Sequence, residues 1–152
     1  MLCPKRKRCL NAMKGFLLFA CLPLLAVAAP KPLLQTTTSW DGGVISYPKG
    51  EIEITSIELN VPEGKTSSYH CHPIPTLGYI LLGTVEVETI DGKKVTLTQG
   101  QSAVEVMKTP HRAKSLGGPA KIIVFYAGAT HIPTTIKLGE EKAGFSCHKN
   151  PA

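Results

Sequence analysis

The chain has 152 residues, with 17 Lys and Arg against 11 Asp and Glu, for a formal net charge of +6. Five of the basic residues precede Ala28 and no acidic residue does, so the remainder is close to neutral, with twelve positive groups against eleven negative ones. No basic stripe with interleaved aromatics is left, which excludes a nucleic-acid-binding role.

The excess charge belongs to the start of the chain. Lys5 to Arg8 and Lys14 precede an apolar run over 15–29 that ends in Ala26-Val27-Ala28. A basic start, an apolar middle and small residues at the end form the layout of a secretory signal, here over 1–28 with cleavage after Ala28. Pro23 interrupts the run, which is too short for a membrane-spanning helix. Met13 would also serve as a start. The expectation is a periplasmic or secreted protein with no membrane association once the signal is removed.

The rest is one domain's worth of chain. Residues 29–50 carry no strong pattern and are expected to form an N-terminal arm. Polar and apolar residues alternate from Glu51 to Val61 and stop at Pro62-Glu63-Gly64. The next apolar runs are Gly78–Leu82 and, after Gly83, Thr84–Ile90. Asp91-Gly92 is a hairpin signal that returns the chain through Lys94–Thr98. Ser102–Met107 reads as a further strand, and the apolar run Ala120–Ala127 as a central one. No helical period follows residue 28, and turn signals recur every eight to twelve residues. The pattern predicts an all-β domain of antiparallel strands over 51–138, a barrel or a sandwich, with a tail over 139–152.

One segment speaks of chemistry. In a strand, side chains two apart share a face, so in His70-Cys71-His72 the two imidazoles stand together and Cys71 points the other way. With His111 brought in from a distant segment, the three rings suit a divalent transition metal. His131 and His148 fall outside this grouping and are expected to be ordinary polar residues. Arg112 should face away from its neighbour His111 as a solvated or salt-bridged group. Tyr69, Tyr79 and Tyr126 are expected to pack.

These spacings resemble those of the cupin superfamily, whose first motif runs G-x5-H-x-H-x3-4-E-x6-G and whose second runs G-x5-P-x-G-x2-H-x3-N. Gly64, His70, His72 and Gly83 match the first, with Thr76 where the glutamate is expected. Gly100 and His111 match the second, with Val106, Lys108 and Ser115 at the proline, glycine and asparagine positions. The resemblance spans Glu51 to Tyr126. It implies a single jelly-roll barrel with a metal held inside by His70, His72 and His111, iron or manganese before zinc, nickel or copper. Three-histidine sites within that superfamily occur in iron-dependent dioxygenases acting on thiols, diketones and aromatic rings, so a missing glutamate is a variation on the site. Thr76 is a poor metal ligand and reads better as a turn residue after Pro73-Ile74-Pro75.

Glu105 is the other residue of interest. A carboxylate inside an apolar barrel is costly unless it is paired or metal-bound. It either points to solvent or replaces the absent acid as fourth ligand or general base. Both faces of its strand are apolar, so alternation does not decide. Two function classes follow: a metal-dependent oxygenase on a small chelating substrate, with Glu105 as candidate catalytic base, or a non-catalytic barrel that binds a metal or small molecule. Cys71 and Cys147 could form a disulfide tying the tail to the barrel wall, or remain free thiols. Exposed strand edges and terminal arms suggest a homodimer.

Overall fold

The computed structural model describes residues 29–147. The signal segment expected over 1–28 and His148 lie outside the described residues. The chain divides into Met1–Pro30 and Lys31–Ala152, and the fold below belongs to the second unit.

Among the described residues every regular element is a strand. In chain order these are β1 (Ile52–Val61), β2 (His70–Cys71), β3 (Thr76–Leu82), β4 (Thr84–Thr89), β5 (Lys94–Thr98), β6 (Ser102–Val104), β7 (His111–Ser115), β8 (Ala120–Ala129), β9 (Ile136–Lys137), β10 (Glu141–Lys142) and β11 (Phe145–Ser146). They form a four-stranded sheet ordered β1-β8-β3-β6, a five-stranded sheet ordered β5-β4-β7-β2-β9, and the separate hairpin β10-β11. The strand pairs within these sheets are antiparallel. The all-β, antiparallel expectation holds, and the apolar run β8 lies between two partners, as its composition predicts.

Side-chain alternation sets what each sheet buries. Along β8 the even-numbered residues Ala120, Ile122, Val124 and Tyr126 are buried. Their register partners on β1 and β3 put Ile57, Leu59 and Val61, and Thr76, Gly78 and Ile80, on the same face. Val85, Val87 and Leu97 face them from β4 and β5 and join Ile74, Ile80, Ala103, Ile122 and Val124 in one apolar cluster. The Asp91-Gly92 hairpin forms as expected. Gly92 adopts φ 88°, a left-handed conformation that costs glycine nothing, and Glu88 pairs with Lys94 across the turn.

Terminal segments cover strands of their own chain. In the N-terminal arm, the Trp40 backbone N–H donates to the Val104 carbonyl, 3.0 Å away. Its indole packs against the core. At the other end β9 extends the sheet beside β2, and Cys147 is disulfide-bonded to Cys71. The bonded alternative for the two cysteines is therefore the one the structure contains.

Candidate metal centre

β2 and β7 are neighbours, with His70 opposite His111. His72 follows β2 directly. Its backbone is fixed by a parallel bridge to Met107 and by the Lys108 N–H, which donates to the His72 carbonyl at 2.8 Å. Lys108 makes this bond from φ 61°, so the position where the second motif has glycine keeps the conformation glycine would favour. Cys71 is fully buried on the side away from the imidazoles, and its disulfide fastens the tail behind them.

The three imidazoles form a near-equilateral group. Ring centroids are 5.1 Å apart for His70 and His72, 4.7 Å for His70 and His111, and 5.1 Å for His72 and His111. One ring nitrogen from each lies within 4.8 Å of those of the other two. The remaining ring nitrogen is occupied in every case. Nδ1 sits 2.9 Å from the Ser68 carbonyl in His70, 2.7 Å from the Thr134 carbonyl in His72, and 2.9 Å from the Thr109 carbonyl in His111. A carbonyl only accepts, so each Nδ1 carries the proton and each Nε2 keeps its lone pair. This backbone anchoring of the second nitrogen is the arrangement found around metal-ligating histidines. The donor set therefore fits a divalent transition metal.

Electrostatics agree with the tautomers. Burial lowers the pKa of all three rings below the ordinary histidine value, and for His70 and His72 neighbouring imidazoles lower it further. His72 is pushed down to about 3. Neutral imidazole is the ligating form, and all three are neutral at physiological pH.

Glu105 faces inward. Gly78 pairs with Ala103 on the cavity face, and the Glu105 N–H donates to the Thr76 carbonyl at 2.8 Å, so residue 105 is the next inward position of that strand. Its Oε2 lies 3.7 Å from His111 Nε2. Burial raises the carboxyl pKa, while that of His111 is lowered, so the two do not form an ion pair. Among the described residues Oε2 is buried without a hydrogen-bond partner, and so is Nε1 of Trp40, which is close enough to act on the carboxyl. The carboxyl oxygen and the imidazole lone pair thus face one another across 3.7 Å, too far for a direct hydrogen bond. A cation would satisfy both.

Thr76 differs from expectation. It is the first residue of β3, not a turn residue, and is fully buried, with its hydroxyl donating to the Ile74 carbonyl at 3.1 Å. Tyr126 also does more than pack, since it shares the cavity wall and its ring centroid lies 5.6 Å from that of His72. Arg112 faces away, as expected, bonding Glu88 at 2.7 Å and lying over the Tyr69 ring. His131 is exposed on a turn outside the group. Trp40 and the Thr134 carbonyl had no sequence signal linking them to the site. The only hint was that Trp40 is the single tryptophan of the chain.

Residues 57–126 match the family model described as Cupin domain, which supports the cupin superfamily for this segment. No curated protein matches the sequence. Among solved structures, the chain is similar to a DMSP lyase, DddQ, from Ruegeria pomeroyi DSS-3 at 19% identity and TM-score 0.49, covering 55% of this chain and 42% of that one. It is similar to an oxalate decarboxylase from Lactobacillus farciminis at 18% identity and TM-score 0.49, covering 56% and 26%. It is also similar to protein NMB1881 from Neisseria meningitidis at 19% identity and TM-score 0.45, covering 56% and 89%. The chain thus spans less than half the length of the first two. Likenesses this distant carry no functional conclusion.

Proposed function

We propose that this is a secreted or periplasmic cupin of jelly-roll form that holds a divalent transition metal on His70, His72 and His111 and acts as a dioxygenase-like enzyme on a small chelating substrate. The observation that carries the proposal is the protonation pattern: three Nδ1–H groups spent on backbone carbonyls leave three Nε2 lone pairs turned toward one another. Iron or manganese fits best, because a carboxyl oxygen of Glu105 stands 3.7 Å from one of the imidazoles. When bound, the metal supplies Lewis acidity or oxygen activation. Glu105 is the group placed to accept a substrate proton, beside an apolar wall of Leu59, Val61, Ile122 and Val124. The disulfide between Cys71 and Cys147 supports an oxidising compartment.

Metal analysis of purified protein against a His70→Ala, His72→Ala double variant tests the site. Equal metal in both, with failure to reload, would end the proposal. Oxygen uptake with catechols, diketones and thiols then separates enzyme from binder. Non-catalytic binding is the second reading. It is favoured by the wall's lack of a free acid–base partner for Glu105 at Thr76, whose hydroxyl is spent on the backbone. We also propose a homodimer. The outer face of the four-stranded sheet leaves Ile52 and Ile54 80% and 63% exposed beside Phe125. A monomer mass by light scattering at micromolar concentration would refute it.

A further inference from the structure

We infer that the cavity beside the three imidazoles takes a small molecule with a single ionisable sulfur or oxygen donor and an otherwise uncharged body, and turns away molecules that carry a second negative charge. This rests on the metal reading above and narrows its substrate class.

Size sets the first limit. The cavity has a volume of about 110 Å³. An enclosed apolar cavity of about 150 Å³ holds benzene, so the part of a ligand seated inside this one has about six non-hydrogen atoms or fewer. Leu59, Val61, Ile122 and Val124 form its apolar wall, and Leu59 and Ser67 are its exposed members and mark the open end.

Charge sets the second. Among the described residues, Glu105 is the only formally charged one lining the cavity, and neither Lys nor Arg lines it. Nearby cations are committed elsewhere: Arg112 to Glu88, and Lys121 to Glu58 at 2.9 Å. Three neutral imidazoles put no negative charge against a divalent ion, and Glu105 is the one acid beside it. A thiol, phenol or enol that binds as its anion, its proton leaving to solvent, meets the positive charge of the ion itself. A second anionic group would then be buried in an apolar wall with no counter-charge, which is strongly unfavourable. Dicarboxylates and mercapto-acids are the classes disfavoured on this ground.

The test uses full-length protein loaded with cobalt(II), its loading measured by elemental analysis against the His70→Ala, His72→Ala variant. Absorption titrations compare 3-mercaptopropionamide with 3-mercaptopropionate, which match in size and differ in charge. The amide should bind tighter, on the order of tenfold or more. Naphthalene-2-thiol should not bind. Ser67→Lys, which adds a cation at the exposed rim, should close most of the gap between the matched pair. Equal or tighter binding of the acid by a loaded sample would overturn the charge inference and leave the metal site standing. Tight binding of naphthalene-2-thiol would overturn the size limit. A sample that loads no more cobalt than the double variant would remove both inferences together.

Discussion

The buried neutral His72 makes the stability of the metal-free protein depend on pH in a way that can be worked through. Its folded pKa is about 3, against 6.5 when unfolded. Lowering pH below 6.5 lets the unfolded chain take up a proton that the folded one refuses, so stability is lost as pH falls through that window. Between pH 7 and pH 5 this one group costs about 2 kcal/mol. His70 and His111, also lowered, add in the same direction. Glu105 opposes them: its raised pKa gives a contribution that is present below the unfolded carboxyl value and lost as pH rises. The perturbation that isolates the main effect is His72→Asn, whose side-chain amide can still donate to the Thr134 carbonyl. Urea unfolding after chelation, at pH 7 and pH 5, should show a pH dependence smaller by about 2 kcal/mol in the variant. An unchanged pH dependence would mean that His72 titrates freely in solvent, and the three-imidazole group would fall with it.

Four further outcomes are expected. Glu105→Gln should weaken metal binding roughly tenfold to a hundredfold yet raise the urea midpoint of the metal-free protein at pH 7, because it removes a buried carboxyl. A lowered midpoint would contradict the burial. Cys147→Ala opens a loop with a sequence separation of 76, which should cost about 4 kcal/mol by loop entropy. A thiol assay that finds Cys71 and Cys147 free in native oxidised protein would contradict it. Lys108→Gly should stabilise by about 1 kcal/mol, since the lysine sits at φ 61°, and equal or lower stability in urea would show that no strain is relieved. Gly83→Ala should cost about 3 kcal/mol, because a Cβ there runs into the Pro119 carbonyl oxygen, whereas Gly100→Ala, at φ 87° with open space around it, should cost about 1 kcal/mol. Similar losses from the two would show that the two glycines are not distinguished by packing.

The strands with a strong alternating or apolar pattern were legible, and their ends shift by only a few residues: Glu51–Val61 became β1 and Ala120–Ala127 became β8. β7 was not legible, because His111-Arg112-Ala113-Lys114-Ser115 has too little apolar character to show its period. Its inward residues are a histidine of the candidate metal centre, an alanine and a serine. β9 to β11 are two-residue pairings set by neighbours and not by their own sequence. The orientation of Glu105 was hidden for a specific reason. Val104, on the opposite face of that strand, is buried as well, because the arm backbone at Trp40 bonds to it and covers it. Alternation reports burial only when one face of a strand meets water, and here neither does.

The same geometry explains how the site can lack the motif glutamate without lacking a carboxylate. Position 76, where the first motif has glutamate, and position 105 are joined by a backbone hydrogen bond between β3 and the end of β6. Both face the cavity. Moving an acid from one to the other carries it across a single rung of the ladder, about 5 Å, and keeps it aimed at the imidazoles. The vacated position becomes a threonine whose hydroxyl satisfies a nearby carbonyl and needs no partner from the cavity. The carboxylate that results approaches the group from the His111 side. The open end of the cavity lies at Leu59 and Ser67, next to the apolar wall of β1 and β8, and it is through that end that anything reaches the three imidazoles.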